Sequence, residues 1–287
     1  MRLSKRTFYL MTLPALVLFF VFHTIPLIMG IFYSFTNYRG FGEWEFVGLN
    51  NYIALFKDDA VLHSYFFSFQ FAIVGTIATN VIALLIAVGL NAKAAFRNLL
   101  RGIFFVPYVL SILIVGFVFS YIFAFLLPSA GQWLGIARLS ANILSDPGLA
   151  WVGVVIVAVW QAIAFAIVLY LAGLQTVPEE QLEAASLDGA GTWGRFWHVT
   201  FPLIAPFFTI NMVLGMKGFL QVFDLIIALT NGGPGTETES VSVVIYRGGF
   251  EGAEFAYQSA NAVIFLIVLV IVAIVQLRYL QRREVSL

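Results

Sequence analysis

The sequence predicts an all-α membrane protein with six transmembrane helices. Three observations carry that prediction: a composition too apolar for water, six apolar stretches of spanning length, and an uneven placement of Lys and Arg between them. Of 287 residues, 61% are hydrophobic and only 10% charged, and the mean hydropathy of +0.95 is far above what a water-soluble core and surface average. A soluble globular protein is thereby excluded. The expected organisation is one membrane domain over 1–287, because spanning helices bury their apolar surface in lipid instead of in one compact core.

A helix needs about 20 mostly apolar residues to cross a bilayer, and the chain supplies stretches at about 9–31, 67–90, 103–127, 150–173, 203–230 and 260–280. The first follows Arg2, Lys5 and Arg6, as a signal peptide would. Its apolar run exceeds the roughly 7–15 residues of a signal core, and no Ala-x-Ala-like cleavage site follows, so it is expected to stay as an anchor helix. With the N-terminus inside, the cytoplasmic segments hold Arg2, Lys5, Arg6, Lys93, Arg97, Arg101, Arg195, Arg278, Arg282 and Arg283. The external ones then hold only Arg39, Lys57, Arg138 and Arg247. Lys and Arg concentrate on the cytoplasmic side of membrane proteins, so both termini are expected in the cytoplasm, as is the segment 174–202.

The inventory removes several kinds of chemistry. The sequence contains no cysteine, which rules out disulfides, thiolate metal sites, iron–sulfur clusters and cysteine nucleophiles. His23, His63 and His198 lie scattered without ligand spacing, so no metal site is expected. A formal net charge of zero carries no argument for a nucleic-acid partner. No Gly-x-x-x-x-Gly-Lys-Ser/Thr segment is present, so the chain cannot cradle nucleotide phosphates in that way.

The segment 174–202 reads as two short helices joined by a tight turn. Pro178 suits a first helical turn, where its missing N–H costs nothing, and Glu179 and Glu180 complement the positive end of the helix dipole. Asp188 and Gly189 stop that helix near Leu187, since glycine accepts the left-handed conformation that closes a helix. Thr192 then caps a second helix carrying Trp193, Phe196 and Trp197, which Pro202 ends before the fifth span. A bland interhelical loop with headgroup-level tryptophans would share that outline. Against it stands the run of small residues Ala184, Ala185, Gly189, Ala190 and Gly191 bracketed by Glu183 and Asp188. Small side chains allow close approach by a partner backbone, and flanking carboxylates offer charge-assisted bonds to its arginines.

Glu183-Ala184-Ala185, then Asp188-Gly189-Ala190, then Phe196, Pro202 and Pro206 resemble the EAA loop of permease subunits in ATP-binding-cassette importers. The resemblance implies the type I importer permease fold in a bacterial or archaeal cytoplasmic (inner) membrane. Residues 183–190 would form a coupling helix seated in a groove of a separate ATPase subunit. The rest of the chain is similar to the carbohydrate-uptake branch of that family, the MalF, LacF and UgpA type. Phe46-Val47-Gly48-Leu49 with Asn51-Tyr52, Arg101 before Phe104-Phe105-Val106-Pro107, Trp160-Gln161, Leu171-Ala172-Gly173-Leu174-Gln175, Phe223-Asp224, Leu229-Thr230 and Gly232-Gly233-Pro234 carry that likeness. Ala164 stands where members of the branch often have glycine.

The family picture implies the partners: a second homologous permease, ATPase subunits, an extracytoplasmic substrate-binding protein, surrounding lipid, and a sugar or related small solute. No cofactor is expected on this chain, and ATP with Mg would sit on the ATPase. The chain is thus expected to be a transport subunit and not itself an enzyme. Transporter sites tend to lie near the bilayer midplane, which points to Trp160, Gln161 and Phe165 on the fourth span. On the fifth span Lys217, Gln221 and Asp224 make one helical stripe, with Asn211, Gly215, Gly218 and Val222 on a neighbouring one. Intramembrane charges are costly and functional by default. The alternative is that Lys217 and Asp224 pair with the partner permease or snorkel, while the glycines permit close helix packing. Within the branch, glycerol 3-phosphate or a glycerophosphodiester is the alternative solute, with Lys217 as an anion partner. An ion-coupled secondary transporter would need ion sites in broken helices and has no use for an EAA loop.

Overall fold

A computed structural model describes residues 5–91 and 97–282; Arg2, Lys93 and Arg283 of the charge count lie outside them. The described residues form helices, with one isolated antiparallel bridge between Thr36 and Phe46. In chain order the α-helices are α1 (Lys5–Phe19), α2 (Ile25–Tyr33), α3 (Asn50–Leu55), α4 (Asp59–Asn91), α5 (Arg97–Val109), α6 (Ile112–Tyr121) and α7 (Leu127–Leu134). There follow α8 (Ala150–Leu174), α9 (Glu179–Leu187), α10 (Thr192–Arg195), α11 (Phe201–Leu220), α12 (Asp224–Leu229), α13 (Val241–Tyr246) and α14 (Phe255–Gln281). Six helical runs are long and apolar enough to cross a membrane: Tyr9–Tyr33, Asp59–Asn91, Ile112–Leu134, Ala150–Leu174, Thr192–Leu220 and Phe255–Gln281.

Three spans contain a π-helical turn, and each such turn is followed by proline. The turns Phe20–Thr24, Ile122–Leu126 and Phe196–Thr200 precede Pro26, Pro128 and Pro202, which sit at the start of α2, α7 and α11. Proline has no N–H to donate and its ring clashes with a carbonyl of the preceding turn. A wider π turn makes room for that ring, one of the local adjustments by which membrane helices tolerate proline. The expected stop at Pro202 is therefore corrected. The helix runs from Thr192 through Pro202 to Leu220, so the second short helix of the 174–202 segment is the first turns of the fifth span.

Two stretches expected to be continuous are broken. The stretch 103–127 is interrupted at Leu110 and Ser111, the latter extended at φ −60° and ψ 131°, leaving α5 as a separate shorter helix and Ile112–Leu134 as the span. The stretch 203–230 is interrupted at 221–223, where Phe223 takes φ −137° and ψ −66° before α12 begins. Unbroken apolarity hides such breaks, because a hydropathy window does not register backbone direction.

The backbone contacts group into two compact units. One comprises the chain up to Leu62 with Val244–Val268. In it Asn51 donates from Nδ2 to the carbonyls of Ser34 and Thr36, both at 2.8 Å, and the Tyr52 and Ser34 hydroxyls meet at 2.6 Å. The two Asn51 bonds hold the carbonyls of the chain as it leaves α2, where helical partners run out. The Ala256 N–H donates to the Tyr38 carbonyl at 2.8 Å, and the Tyr257 hydroxyl donates to Asp58 at 2.7 Å. None of the residues in the most apolar window of Tyr9–Tyr33 is buried by the chain's own packing.

The other unit comprises His63–Val243 with the segment from Leu269 onward. Its central helix is α8, half of whose most apolar window is buried. Ala83, Ala87 and Leu90 of α4 pack with Ala166, Ile167, Tyr170 and Leu171 of α8 and Ile204 of α11. Where α6 meets α12, a Cβ on Gly116 would lie only 2.5 Å from the Ala228 side chain, so only glycine permits that approach. The 230–240 loop closes on itself through Thr238, whose hydroxyl donates to the Gly233 carbonyl at 2.7 Å and meets Thr230 at 2.8 Å. The Val241 N–H donates to Ser68 on α4 at 3.0 Å, and Ser240 donates to the Val222 carbonyl at 2.6 Å.

Candidate functional site

The two helix breaks meet at a cavity. Leu110 and Ile112 from the α5–α6 break, and Val222 and Leu225 from the α11–α12 break, line a space of about 410 Å³ together with residues of α4, α8 and α11. Irregular backbone at membrane depth is tolerated where it is buried in protein or lines a cavity, and broken helices mark the binding region of many transporters. The volume falls in the range of sites for small molecules.

Gln161 of α8 bridges the first break. Its Nε2 donates to the carbonyls of Pro107 at 3.3 Å and Leu110 at 3.0 Å, which have lost their helical partners because α5 ends there. The amide expected to meet substrate thus spends its N–H groups on the scaffold and keeps its carbonyl oxygen as an acceptor. Phe165, one turn along α8, stacks on Tyr108 with ring centroids 5.5 Å apart and planes 26° apart, and both rings line the cavity.

Asn211 of α11 is buried and donates from Nδ2 to the Ala166 carbonyl at 3.3 Å. Gly215 and Gly218 follow it along the same wall. Thr79 of α4 completes the polar set. Its side chain is 4% exposed, it lines the cavity, and its hydroxyl has no hydrogen-bond partner among the described residues. Behind it Asn80 donates to the Thr76 carbonyl at 2.8 Å and accepts the Tyr170 hydroxyl. The sequence reading missed Thr79 and Tyr108. The available signal was the trio Thr76, Thr79 and Asn80, polar residues spaced by three and four on one face of an otherwise apolar span.

Among the remaining expected pathway residues, Trp160 faces Phe119 at 5.1 Å and does not line the cavity. The stripe of Lys217, Gln221 and Asp224 is corrected: Gln221 caps the end of α11 and Asp224 opens α12, so the three do not share one helix. All three are exposed, and none lines the cavity.

The second candidate region is the 174–202 segment. Helix α9 opens after Pro178 with Glu179 and Glu180 in its first turn. It closes by two backbone bonds, Gly189 N–H to Ser186 O at 3.1 Å and Ala190 N–H to Ala185 O at 3.0 Å, with Gly189 at φ +83°. That pattern needs a left-handed residue at the turn, which glycine adopts without a Cβ penalty. Gly191, not Thr192, is the extended residue preceding the next helix. Glu183, Ala184, Asp188 and Gly189 are exposed, Ala185 and Ala190 half-buried, and Leu187 is 89% exposed. Trp193, Trp197 and Phe201 pack edge-on and tilted in succession at 5.7 and 5.1 Å, with Phe196 edge-on against Trp197 at 5.3 Å. This aromatic column runs along the continuous helix that contains Pro202.

Comparison with known proteins gives this architecture its family. The family described as binding-protein-dependent transport system inner membrane component matches residues 79–285. The chain belongs to that family. It is 36% identical over 280 residues, 97% of this chain and 96% of the relative, to a multiple sugar-binding transport system permease protein of Streptococcus mutans. It is 33% identical over 98% of its length, and 96% of the relative's, to a probable starch degradation products transport system permease protein of Thermoanaerobacterium thermosulfurigenes. The solved structure of a bacterial ABC transporter involved in the import of the acidic polysaccharide alginate has a chain of the same fold. The TM-score is 0.84 at 22% identity, covering 96% of this chain and 95% of that one. The permease is thus a multi-pass inner-membrane protein with the fold of ABC importer permeases, six spans included.

Proposed function

We propose that this permease moves a neutral sugar or oligosaccharide into the cytoplasm through the cavity at the two helix breaks, driven by a separate ATPase that engages the 174–202 segment. The observation that carries the reading is the cavity lining. The stacked rings of Tyr108 and Phe165 offer apolar faces to a sugar ring. Thr79, Asn211 and the Gln161 carbonyl supply the few convergent polar groups that orient hydroxyls. A second homologous permease completes the pathway, and an extracytoplasmic binding protein delivers the solute. The excess of Lys and Arg on one side supports cytoplasmic termini.

Energy enters from the ATPase, where ATP and Mg bind. Nucleotide shifts the permease between inward- and outward-facing states only by binding the two states with different affinity. The exposed Glu183 and Asp188 offer acceptors to arginines in an ATPase groove. The helical run Thr192–Leu220 connects the segment, Phe196 included, to the Asn211 wall of the cavity and gives its displacement a path to that wall.

No charged side chain lines the cavity among the described residues, which favours a neutral solute over glycerol 3-phosphate. The test is reconstitution of the complex purified from its native membrane, with labelled oligosaccharides and glycerol 3-phosphate offered through candidate binding proteins. ATP-dependent accumulation of a neutral sugar, weakened by Phe165→Ala, is expected. Accumulation of glycerol 3-phosphate alone, or sugar uptake indifferent to Phe165→Ala, would overturn the reading.

A further inference from the structure

A second cleft, of about 280 Å³, lies between α5 and α8, separate from the cavity above. Its polar end is made by Arg101 and Gln175. The Arg101 Nε is buried, with no hydrogen-bond partner among the described residues, and no carboxylate lines the cleft among them. A buried guanidinium N–H left unpaired is costly, and a guanidinium presents a fork that fits a phosphate.

The rest of the cleft is apolar. Phe105 and Val168 are both exposed on its wall, at 39% and 45%, with Ala172 between Val168 and Gln175 on the same face of α8. From Ala164 to Gln175 the α8 wall extends about 16 Å at 1.5 Å per residue, close to one leaflet of a hydrocarbon core about 30 Å thick. A positive head at one end and an open apolar wall one leaflet deep match one chemical class of ligand.

We propose that the cleft between α5 and α8 holds one anionic phospholipid, with its phosphate on the Arg101 guanidinium and an acyl chain along Phe105, Val168 and Ala172. The headgroup then lies level with the 174–202 segment, since Gln175 caps α8, in the leaflet that segment faces. The phosphate meets the accessible part of the Arg101 guanidinium, and the acyl chain fills a gap between two helices without needing a protein side chain to do so. The inference stands apart from the choice of transported solute.

The test uses the intact importer complex, purified in detergent and titrated with phosphatidylglycerol or phosphatidylcholine while bound lipid is counted by native mass spectrometry. The wild type is expected to retain one phosphatidylglycerol at this site in preference to phosphatidylcholine. Arg101→Gln should lower occupancy by at least about fivefold, the scale of losing a charge-assisted bond, and Arg101→Lys should fall in between. Ala172→Phe should lower it with the cation left in place. Because Ala172 is exposed, that variant also decides the matter if Arg101→Gln does not assemble. Three results would overturn the proposal: equal phosphatidylglycerol occupancy in wild type and Ala172→Phe, displacement of the lipid by millimolar inorganic phosphate, which would make this a small-anion site, or loss of a partner subunit from Arg101→Gln with lipid retention unchanged, which would make Arg101 a protein contact.

Discussion

The 174–202 segment and the cavity are built on opposite principles. In the segment the residues that matter stand in the open: Leu187 is 89% exposed and Trp193 74%, and α9 has no buried residue. At the cavity the polar groups are deep, Thr79 and Asn211 at 4% exposure each, and the two amides of the wall, Gln161 and Asn211, both donate to backbone carbonyls of packed helices or their broken ends. An exposed site owes its shape to local rules such as the closing turn at Gly189 and acquires its energy only when a partner covers it. A buried polar site is paid for within the chain, so each of its groups serves fold and function together. Substitutions in the two regions should therefore separate transport from stability in different ways.

The largest effect is expected from Glu183→Arg. Charge reversal on the exposed face of α9 should repel the arginines of an ATPase groove and cut ATP-driven uptake by at least about tenfold, the scale of one charge-assisted contact. The unfolding temperature of the isolated permease should not move, because the Glu183 side chain is exposed and makes no ion pair among the described residues. Uptake in reconstituted vesicles and thermal unfolding in detergent are the two readings. A coupled fall in both would erase the contrast, and unchanged uptake in an assembled complex would remove Glu183 from the coupling surface.

How far the sequence foretold each region follows from the same contrast. The turn at Gly189, the helix after Pro178 and the number of spans obey local rules of propensity, capping and hydropathy, so they were legible from the sequence. The breaks at Leu110–Ser111 and 221–223 were not, because they rest on tertiary bonds that no window contains, such as Gln161 capping carbonyls more than fifty positions away. Misreading the second break put Lys217, Gln221 and Asp224 on one helix and drew attention from Thr79. Pro202 failed for another reason: the preceding π turn at Phe196–Thr200 accommodates a ring that an α turn would exclude. The motif Asn51-Tyr52 was legible as a likeness, whereas its physical role, closing the end of α2, needed coordinates.

A smaller effect, of mixed character, is expected at the cavity. Gln161→Leu keeps the volume but strips two donors from the Pro107 and Leu110 carbonyls, each left wanting a partner at membrane depth. Losing partly buried hydrogen bonds of this kind costs about 0.5–1.5 kcal/mol each, so the unfolding temperature of the complex should drop. Uptake should fall with it, as the wall carrying Tyr108 loses its anchor to α8. Gln161→Glu retains acceptors only and should not rescue. A variant that transports poorly at full stability would instead make Gln161 a direct ligand of the solute and would align the cavity with the exposed segment in kind.

The smallest effect on stability, and the sharpest use of the contrast, belongs to Leu187→Ser at the tip of α9. A leucine with almost its whole side chain in solvent contributes little to its own fold, and surface substitutions of this sort usually shift stability by no more than about 0.5 kcal/mol. Its apolar area has value only if a partner covers it, at roughly 25 cal/mol per Å² removed from water. The isolated permease should therefore unfold at the wild-type temperature, while the concentration of ATPase needed for half-maximal reassembly should rise several-fold. Half-maximal reassembly at the wild-type concentration would mean that Leu187 stays in solvent in the complex, and would confine the coupling contact to the small and acidic residues Glu183, Ala184, Ala185 and Asp188.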